Sequence, residues 1–577
     1  SSSGSFELAT SGDSNQGKAG DITINTDKFI YEEGAIASES YGVGGGGNIT
    51  LMAKEVILDG SKVDARPLIS STNIGSANPG NITITAERVY VNQGTIFASG
   101  FGAKPGEINI NVRNLELTNQ AVIDSQVYTT ILNPEFKESS GNITINASES
   151  VSISGHEIIT YPEYESLFAS GLSSTNNTTA TGNIVDNTGT IKVTTGHLKI
   201  FDGGQIVADT NVTGNAGNIV IDANRIDISD SVAGEFGKQR AGIQTTANSE
   251  ATGNAGNIDI RTNNLRVFDG GSIASNALGI SGNAGSISIN AGNIDLEGVL
   301  SEQQLPSSIS VFSQNDDSAG SINITTDKMN IRDRAEINVS NQGSGDSGNL
   351  NVIANNLFLD NSGSLQAEVN GGNQGNIKLN IEQLTLLRRG SSITTNATGL
   401  SQGGNITINS PMIAGFENSD IIANAVDGDG GNIDITTQGL FGLERRNQLT
   451  NQSDITASSE FGVNGTVQVN NVGIEPSSGL VELPELINTD VVIANSCVAR
   501  SRKQDSTFYI TGKEGFPYAP GEAVPSDYSM FEVRALSDDT SLKTSASPRK
   551  KADYIVEATG IYHLKNGELV FGRECGN

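Results

Sequence analysis

The sequence returns fifteen times to one short pattern, a glycine followed by apolar residues two and four positions later. It reads GDITI at 20–24, GNITL at 47–51, GNITI at 80–84, GEINI at 106–110 and GNITI at 141–145. It continues as GTIKV (189–193), GNIVI (217–221), GNIDI (256–260), GSISI (285–289) and GSINI (320–324). The last five are GNLNV (348–352), GNIKL (375–379), GNITI (404–408), GNIDI (431–435) and GTVQV (465–469). Successive leading glycines stand 26 to 48 residues apart. Each unit carries two further alternating segments. One often ends at Asp-Gly, as in VILDG (56–60), LKIFDGG (198–204) and LRVFDGG (265–271). The other follows at once, as in QIVAD (205–209), SIAS (272–275) and SSITT (391–395).

Alternation with period two marks half-buried strands, and the Ile, Val, Leu and Thr that fill them suit a pleated surface. No window sustains the 3.6-residue period of a helix. Three short strands per unit under one recurring register mark predict an all-β chain. The fold class read from this is a right-handed parallel β-helix of about fifteen three-stranded coils, followed by a small non-repetitive β module. No coil can bury its apolar face alone, so stability must come from stacking. At about 4.8 Å between strands, fifteen coils make a rod of roughly 70 Å. An antiparallel sandwich would not need the same glycine mark at each return, and a propeller needs four strands per blade with larger aromatic signatures.

Composition agrees. Aromatic residues make up 5% of the chain and Trp is absent, as a narrow coil interior requires. The formal net charge of −30 argues against a nucleic-acid partner and keeps exposed strand edges apart. No run of apolar residues reaches membrane-spanning length. The chain opens SSSGSFELAT without Met, and reads as a piece of a longer precursor whose N-terminal part is missing.

Candidate chemistry is sparse. GVGGGG (42–47) fits a dinucleotide-loop pattern by letter, but a strand follows it where a phosphate loop needs a helix N-terminus. The three histidines, His156, His197 and His563, have no nucleophile or ligand company along the sequence. Carboxylates recur mainly in turns; DGDGG (427–431) offers Asp427 and Asp429 as a calcium candidate through oxygen ligands, without the repeated nonapeptide of a calcium roll. No other cofactor is expected. The asparagines of the GN(I/L) corners, among them Asn48, Asn81, Asn218, Asn257 and Asn405, predict a hydrogen-bonded ladder along one corner of the stack. Cys497 and Cys575 are the only cysteines. They are either two thiols or one disulfide, which would close a loop of about 80 residues worth roughly 4 kcal/mol.

The repeat domain spans 1–470. Its longest gap, from Gly141 to Gly189, assigns surplus chain to 161–181, where Tyr161, Tyr164 and Phe168 form a candidate contact loop. Shorter surplus falls at 128–140 and 297–308. Residues 471–490 read as a cap or linker over the last coil, 491–577 as a C-terminal module, 536–552 as a flexible linker, and 554–574 as a hairpin turning at Lys565-Asn566-Gly567.

The Gly-Asn-Ile repeats with Asp-Gly-Gly turns resemble the repeat region of filamentous-haemagglutinin-like exoproteins of two-partner secretion systems, the cyanobacterial type above all. The segments SCVAR, STFYITGKEGFPYAP and IVEATG resemble the module that ends many of them. The resemblance covers nearly the whole chain. It implies export through an outer-membrane secretion partner, an extracellular or outer-surface location on a Gram-negative-type bacterium, and an adhesin without catalysis. A C-terminal disulfide tether, used by some members, closes a much shorter loop than Cys497 and Cys575 would. The expected partner is a glycan, another cell-surface ligand or a second copy of the chain. Two other readings stay open: a β-helix polysaccharide lyase or hydrolase, and a subunit of an extracellular filament or layer.

Overall fold

The computed structural model describes residues 8–12, 17–41, 43–62, 66–74, 77–101, 103–129, 140–160, 165–178, 187–233, 238–300, 305–372, 375–471, 533–535, 560–563 and 569–572. Two compact units divide the chain, Ser1–Gly473 and Ile474–Asn577. Every described regular element is a strand.

The first unit is a parallel β-helix. The fifteen sequence marks become fifteen strands of its first face, hydrogen-bonded in parallel. The residue two after each leading glycine stacks on its counterpart from Ile22 through Ile49, Ile82, Ile108, Ile143 and Ile191 to Ile406, Ile433 and Val467. In most coils the first strand runs on around a bend into the second face, as in Ile108–Thr118 and Ile258–Phe268, and the pairing register skips a residue at that bend. The third face is a separate 16-stranded sheet. Its inward column runs Ile96, Ile123, Leu172, Ile206, Ile243, Ile273 and onward.

Side chains from all three faces meet in one continuous core, in which Ile82, Leu117, Ile219, Ile294 and Ile406 are fully buried. Burying each contributes about 2 kcal/mol, which one coil's few cannot set against its ordering entropy; fifteen stacked coils can. Beside its column of Ile and Leu, the third face turns small polar residues inward, and these serve the nearby corner backbone. The Gly47, Gly189 and Gly285 N–H groups donate to Ser38, Ser174 and Ser275 Oγ at 2.8, 3.0 and 2.9 Å. The Thr245 and Thr395 hydroxyls donate to the Gly256 and Gly404 carbonyls at 2.7 and 2.8 Å. Corner peptide groups cut off from water are thereby paired.

The leading glycines have a different cause from the one a turn suggests. Gly217 and Gly256 do not adopt positive φ. A Cβ on Gly256 would collide with the Gly217 carbonyl oxygen of the coil before it, and one on Gly404 with Gly375. Glycine is needed because backbone stacks directly on backbone. True turns occupy the next corner but one, between the second and third faces. There two consecutive residues take positive φ: Asn119-Gln120, Asp202-Gly203, Asp269-Gly270, Asp333-Arg334 and Asn361-Ser362. Asp202-Gly203 and Asp269-Gly270 are turns that the Asp-Gly signal marked, whereas Asp59-Gly60 keeps ordinary φ. The GVGGGG run is likewise a corner, with Gly44 and Gly47 pressed against Gly17 and Gly20.

Three coils interrupt that second corner with short antiparallel hairpins: His156–Thr160 with Glu165–Ala169, Val232–Ala233 with Lys238–Gln239, and Val299–Leu300 with Leu305–Pro306. They belong to alternate coils, those led by Gly141, Gly217 and Gly285. The stretch 161–181 therefore contains a returning hairpin strand, Glu165–Ala169, and a full third-face strand, Gly171–Thr178, in register with Val122 and Gln205. The surplus starts earlier, at His156. The hairpin at 232–239 is signalled only by spacing, since Gly217 and Gly256 stand 39 residues apart.

In the second unit, Gly560–His563 pairs antiparallel with Leu569–Gly572 and parallel with Val533–Ala535. The two antiparallel strands are those of the expected hairpin. Its turn, the segment 472–490 and the linker 536–552 lie outside the described residues.

Candidate functional site

The residues singled out in the sequence do not converge. Tyr161, Tyr164, Cys497 and Cys575 lie outside the described residues. Phe168 sits on the returning strand of the first hairpin, opposite Glu157, with 47% of its surface exposed. Asp427 and Asp429 are both exposed. Asp429 Oδ1 accepts the Val463 N–H of the following coil at 2.9 Å, so its carboxylate bridges two coils. Among the described residues no group of three His, Cys, Asp or Glu side chains could hold a metal ion. His197 Nε2 lies 2.7 Å from Asp227 Oδ2 one coil away, and Arg225 Nε donates to the same oxygen at 2.7 Å. Each of these pairs ties neighbouring positions of the second face.

At the hairpin corner the interruptions interlock with the Asp-Gly turns between them. A side chain at Gly203 would meet His156 and Val232, and one at Gly270 would meet Leu300 and Ser231. Beyond the second hairpin, the half-buried Arg240 guanidinium donates to Ser308 Oγ at 2.6 Å and to the Pro306 carbonyl at 2.9 Å, clamping the third hairpin to the stack. Burial lowers the Arg240 pKa and raises that of Glu336. On the outward side of the third face, Asp124 and Asp209 are almost wholly buried; desolvation pushes them up to about 8 and about 7.

The opposite corner, where the third face passes into the next coil's first face, carries the ladder that the GN(I/L) motif predicted. Asn81 N–H donates to Asn48 Oδ1 at 2.8 Å, Asn257 N–H to Asn218 Oδ1 at 2.8 Å, and Ser286 N–H to Asn257 Oδ1 at 2.8 Å. Asn405 and Asn432 continue it toward the C-terminal end. A second ladder runs beside it, three residues earlier, in the coils led by Gly189 to Gly320. Asn215 N–H donates to Asn187 Oδ1 (2.8 Å), Asn254 N–H to Asn215 Oδ1 (2.8 Å), Asn283 N–H to Asn254 Oδ1 (2.7 Å) and Ser318 N–H to Asn283 Oδ1 (2.9 Å). The twice-used hexapeptide GNAGNI supplies one rung to each ladder: Asn215 with Asn218, and Asn254 with Asn257.

Between the two rows the chain is Ala-Gly, both residues buried, so the exposed asparagines form walls and the peptide backbone forms a floor. The result is a groove of about 400 Å³ over the coils led by Gly189, Gly217, Gly256 and Gly285. Its lining is Asn, Thr, Ala and Gly, with no titratable side chain.

No family model, curated protein or solved structure matches the chain.

What the groove can do follows from its donors. Each asparagine spends Oδ1 on the neighbouring coil's N–H. The Nδ2 amides of Asn215, Asn218, Asn254 and Asn257 have no partner among the described residues and face solvent. Sequence reading anticipated one ladder and missed the second. The signal was present in the doubled Asn-x-x-Asn spacing at 215/218 and 254/257. Among the described residues, no helix is long and apolar enough to cross a membrane.

Proposed function

We propose that the chain is a rigid, non-catalytic rod that mediates attachment or aggregation outside a Gram-negative-type cell. In this reading it is exported by an outer-membrane partner, as its resemblance to filamentous-haemagglutinin-like exoproteins implies. The observation that carries it is the unbroken parallel register of fifteen coils from Ile22 to Val467, which runs on past the three described hairpins without a shift. Such a stack transmits position without bending at a hinge, and offers the same chemistry again every 4.8 Å or so. The test is adhesion of beads coated with the full chain to bacterial cells and to extracted surface polysaccharide. Retention that survives removal of soluble protein supports the reading. Beads that never exceed an inert coating would sink it.

One observation favours a second reading, a β-helix enzyme on polysaccharide. Glu336 and Glu368 stand on the third face of adjacent coils, both raised above the ordinary carboxylate range by burial, with the Arg240 charge acting on Glu336. Half-buried carboxyls whose pKa is raised by burial are the material of general acid catalysis. Release of reducing or unsaturated ends from polysaccharide, abolished by Glu336→Gln, would put this reading first.

A further inference from the structure

We propose that the groove between the two asparagine ladders binds one extended, uncharged glycan chain. This rests on the attachment reading above and names the chemistry of its ligand.

The walls select for it. Four Nδ2 amides, two per coil on adjacent coils, have no hydrogen-bond partner among the described residues, whereas those of Asn283, Asn376, Asn405 and Asn432 donate to the Oδ1 of the rung before at 2.9 to 3.3 Å. The floor cannot recruit a peptide strand. Strand addition needs unpaired backbone at a sheet edge, and here the Ala216 and Ala255 N–H groups already donate to the Asn254 and Asn283 carbonyls of the next coil at 2.8 and 2.9 Å. Nor does the groove suit an ion. None of its lining residues is charged; along the ladder columns the nearest charges are Lys104 and Glu107 two coils before it and Asp346 two coils after it, and the Asp317 carboxylate, which accepts the Gly282 N–H at 2.7 Å, stands beside its last coil. An acidic polysaccharide would find no cation in the groove, and a basic ligand no carboxylate. A hydroxyl-rich neutral polymer fits what is left, since sugar hydroxyls accept from amides and lie at intervals close to one strand spacing. Four coils give a site about 19 Å long, and without an aromatic platform each contact is weak. Affinity must therefore grow with chain length until the groove is filled.

The structure also supplies a variant that removes three of the four donors and spares the fold. In the first coils, Asn48 N–H donates at 2.7 Å to Asp21 Oδ1, so aspartate serves as a rung of this ladder. Replacing Asn218, Asn254 and Asn257 together by Asp keeps every Oδ1 acceptor and turns three Nδ2 donors into acceptors, so hydroxyls that accept from the parent amides lose those partners. The experiment titrates the full chain with β-1,4-linked gluco-oligosaccharides, from a single sugar to chains longer than the groove, beside galacturonate oligomers of the same lengths. Binding is followed by isothermal calorimetry and fold by thermal unfolding. The expected result is binding of the neutral series only, rising with length to a plateau, and weakened at least about tenfold in the triple variant at unchanged transition temperature. Three outcomes overturn the proposal. The neutral series fails to bind, binding is untouched in the triple variant, or the variant instead abolishes self-association seen by sedimentation. If bead adhesion persists while the neutral series fails, the attachment reading stands and only the groove assignment falls.

Discussion

Two corners of the same coil use glycine for opposite reasons. At the ladder corner, Gly217, Gly256 and their equivalents keep ordinary φ and are small because the previous coil's backbone lies against them. At the hairpin corner, Gly203 and Gly270 take φ of 75° and 80° and are chosen for conformation. At these glycines the first corner is fixed from coil to coil, since any added atom meets a peptide carbonyl. Its regularity is what turns single asparagines into ladders and two ladders into a groove. The second corner turns its chain outward, and there three hairpins have been let in without disturbing the register on either side. Close backbone contact at the leading glycine and an outward turn that admits a hairpin thus sit at two corners of the same coil, and each follows from how closely backbone approaches backbone.

The sharpest way to break this comparison is one methyl group. Gly256→Ala forces a carbon into the Gly217 carbonyl oxygen, and the neighbouring coils cannot both move. The expected cost is about 3 kcal/mol in chemical denaturation, at the upper end of what overpacking brings. A cost near zero would show that the stack relaxes, and the account of the first corner would be wrong.

A pH experiment probes the third face between the corners. Asp124 and Asp209 have folded pKa values raised by burial to about 8 and about 7. The folded state therefore holds protons that the unfolded state has released, from the ordinary carboxylate range near 4 upward. Stability must fall as pH rises from about 4 through those folded values, and level off above them. Thermal unfolding at pH 5.5 and again at pH 8.5 should show a transition several degrees lower at the higher pH. Asp124→Asn with Asp209→Asn should flatten the difference. An equal or higher transition at pH 8.5 in the parent chain would contradict the burial of these carboxyls as acids.

The fold was legible because its rule is local: one residue type recurs at one position of every coil, and period-two alternation follows it. All fifteen marks fell into one register. The ladder was legible for the same reason, since Asn after the leading glycine is periodic. What escaped was everything set by contact between coils. That Gly256 is excluded by its neighbour's carbonyl, rather than by its own φ, cannot be seen in a single repeat. The hairpin at 232–239 replaces a turn with a stretch of ordinary composition, and the third-face strand at 171–178, rich in Ser, Thr and Asn, reads as loop until its pairing with Gln205 is known. The groove depends on two periodic features standing three residues apart, a relation between columns that no single motif states.

At the hairpin corner the same methyl group should matter less. Gly203→Ala places its Cβ 3.4 Å from His156 and Val232 side chains, which can shift, and meets mainly the penalty for a positive φ. About 1 kcal/mol is expected, a third of the cost at Gly256. The order of the two variants is the informative quantity, because both add the same atom to the same kind of residue in one stretch of the stack.

The smallest effect is expected where the ladder changes chemistry without changing shape. Asn257→Ala removes the acceptor for the Ser286 N–H, a partly exposed group that water can serve, and should cost about 1 kcal/mol. Asn257→Asp keeps that acceptor, as Asp21 does for Asn48, and should stay within about 0.5 kcal/mol of the parent, as surface substitutions usually do. If Asp proves as costly as Ala, the rung is held by its Nδ2 rather than its Oδ1. The free donors assigned to the groove would then be committed to the stack, and the ladder corner would be architecture alone.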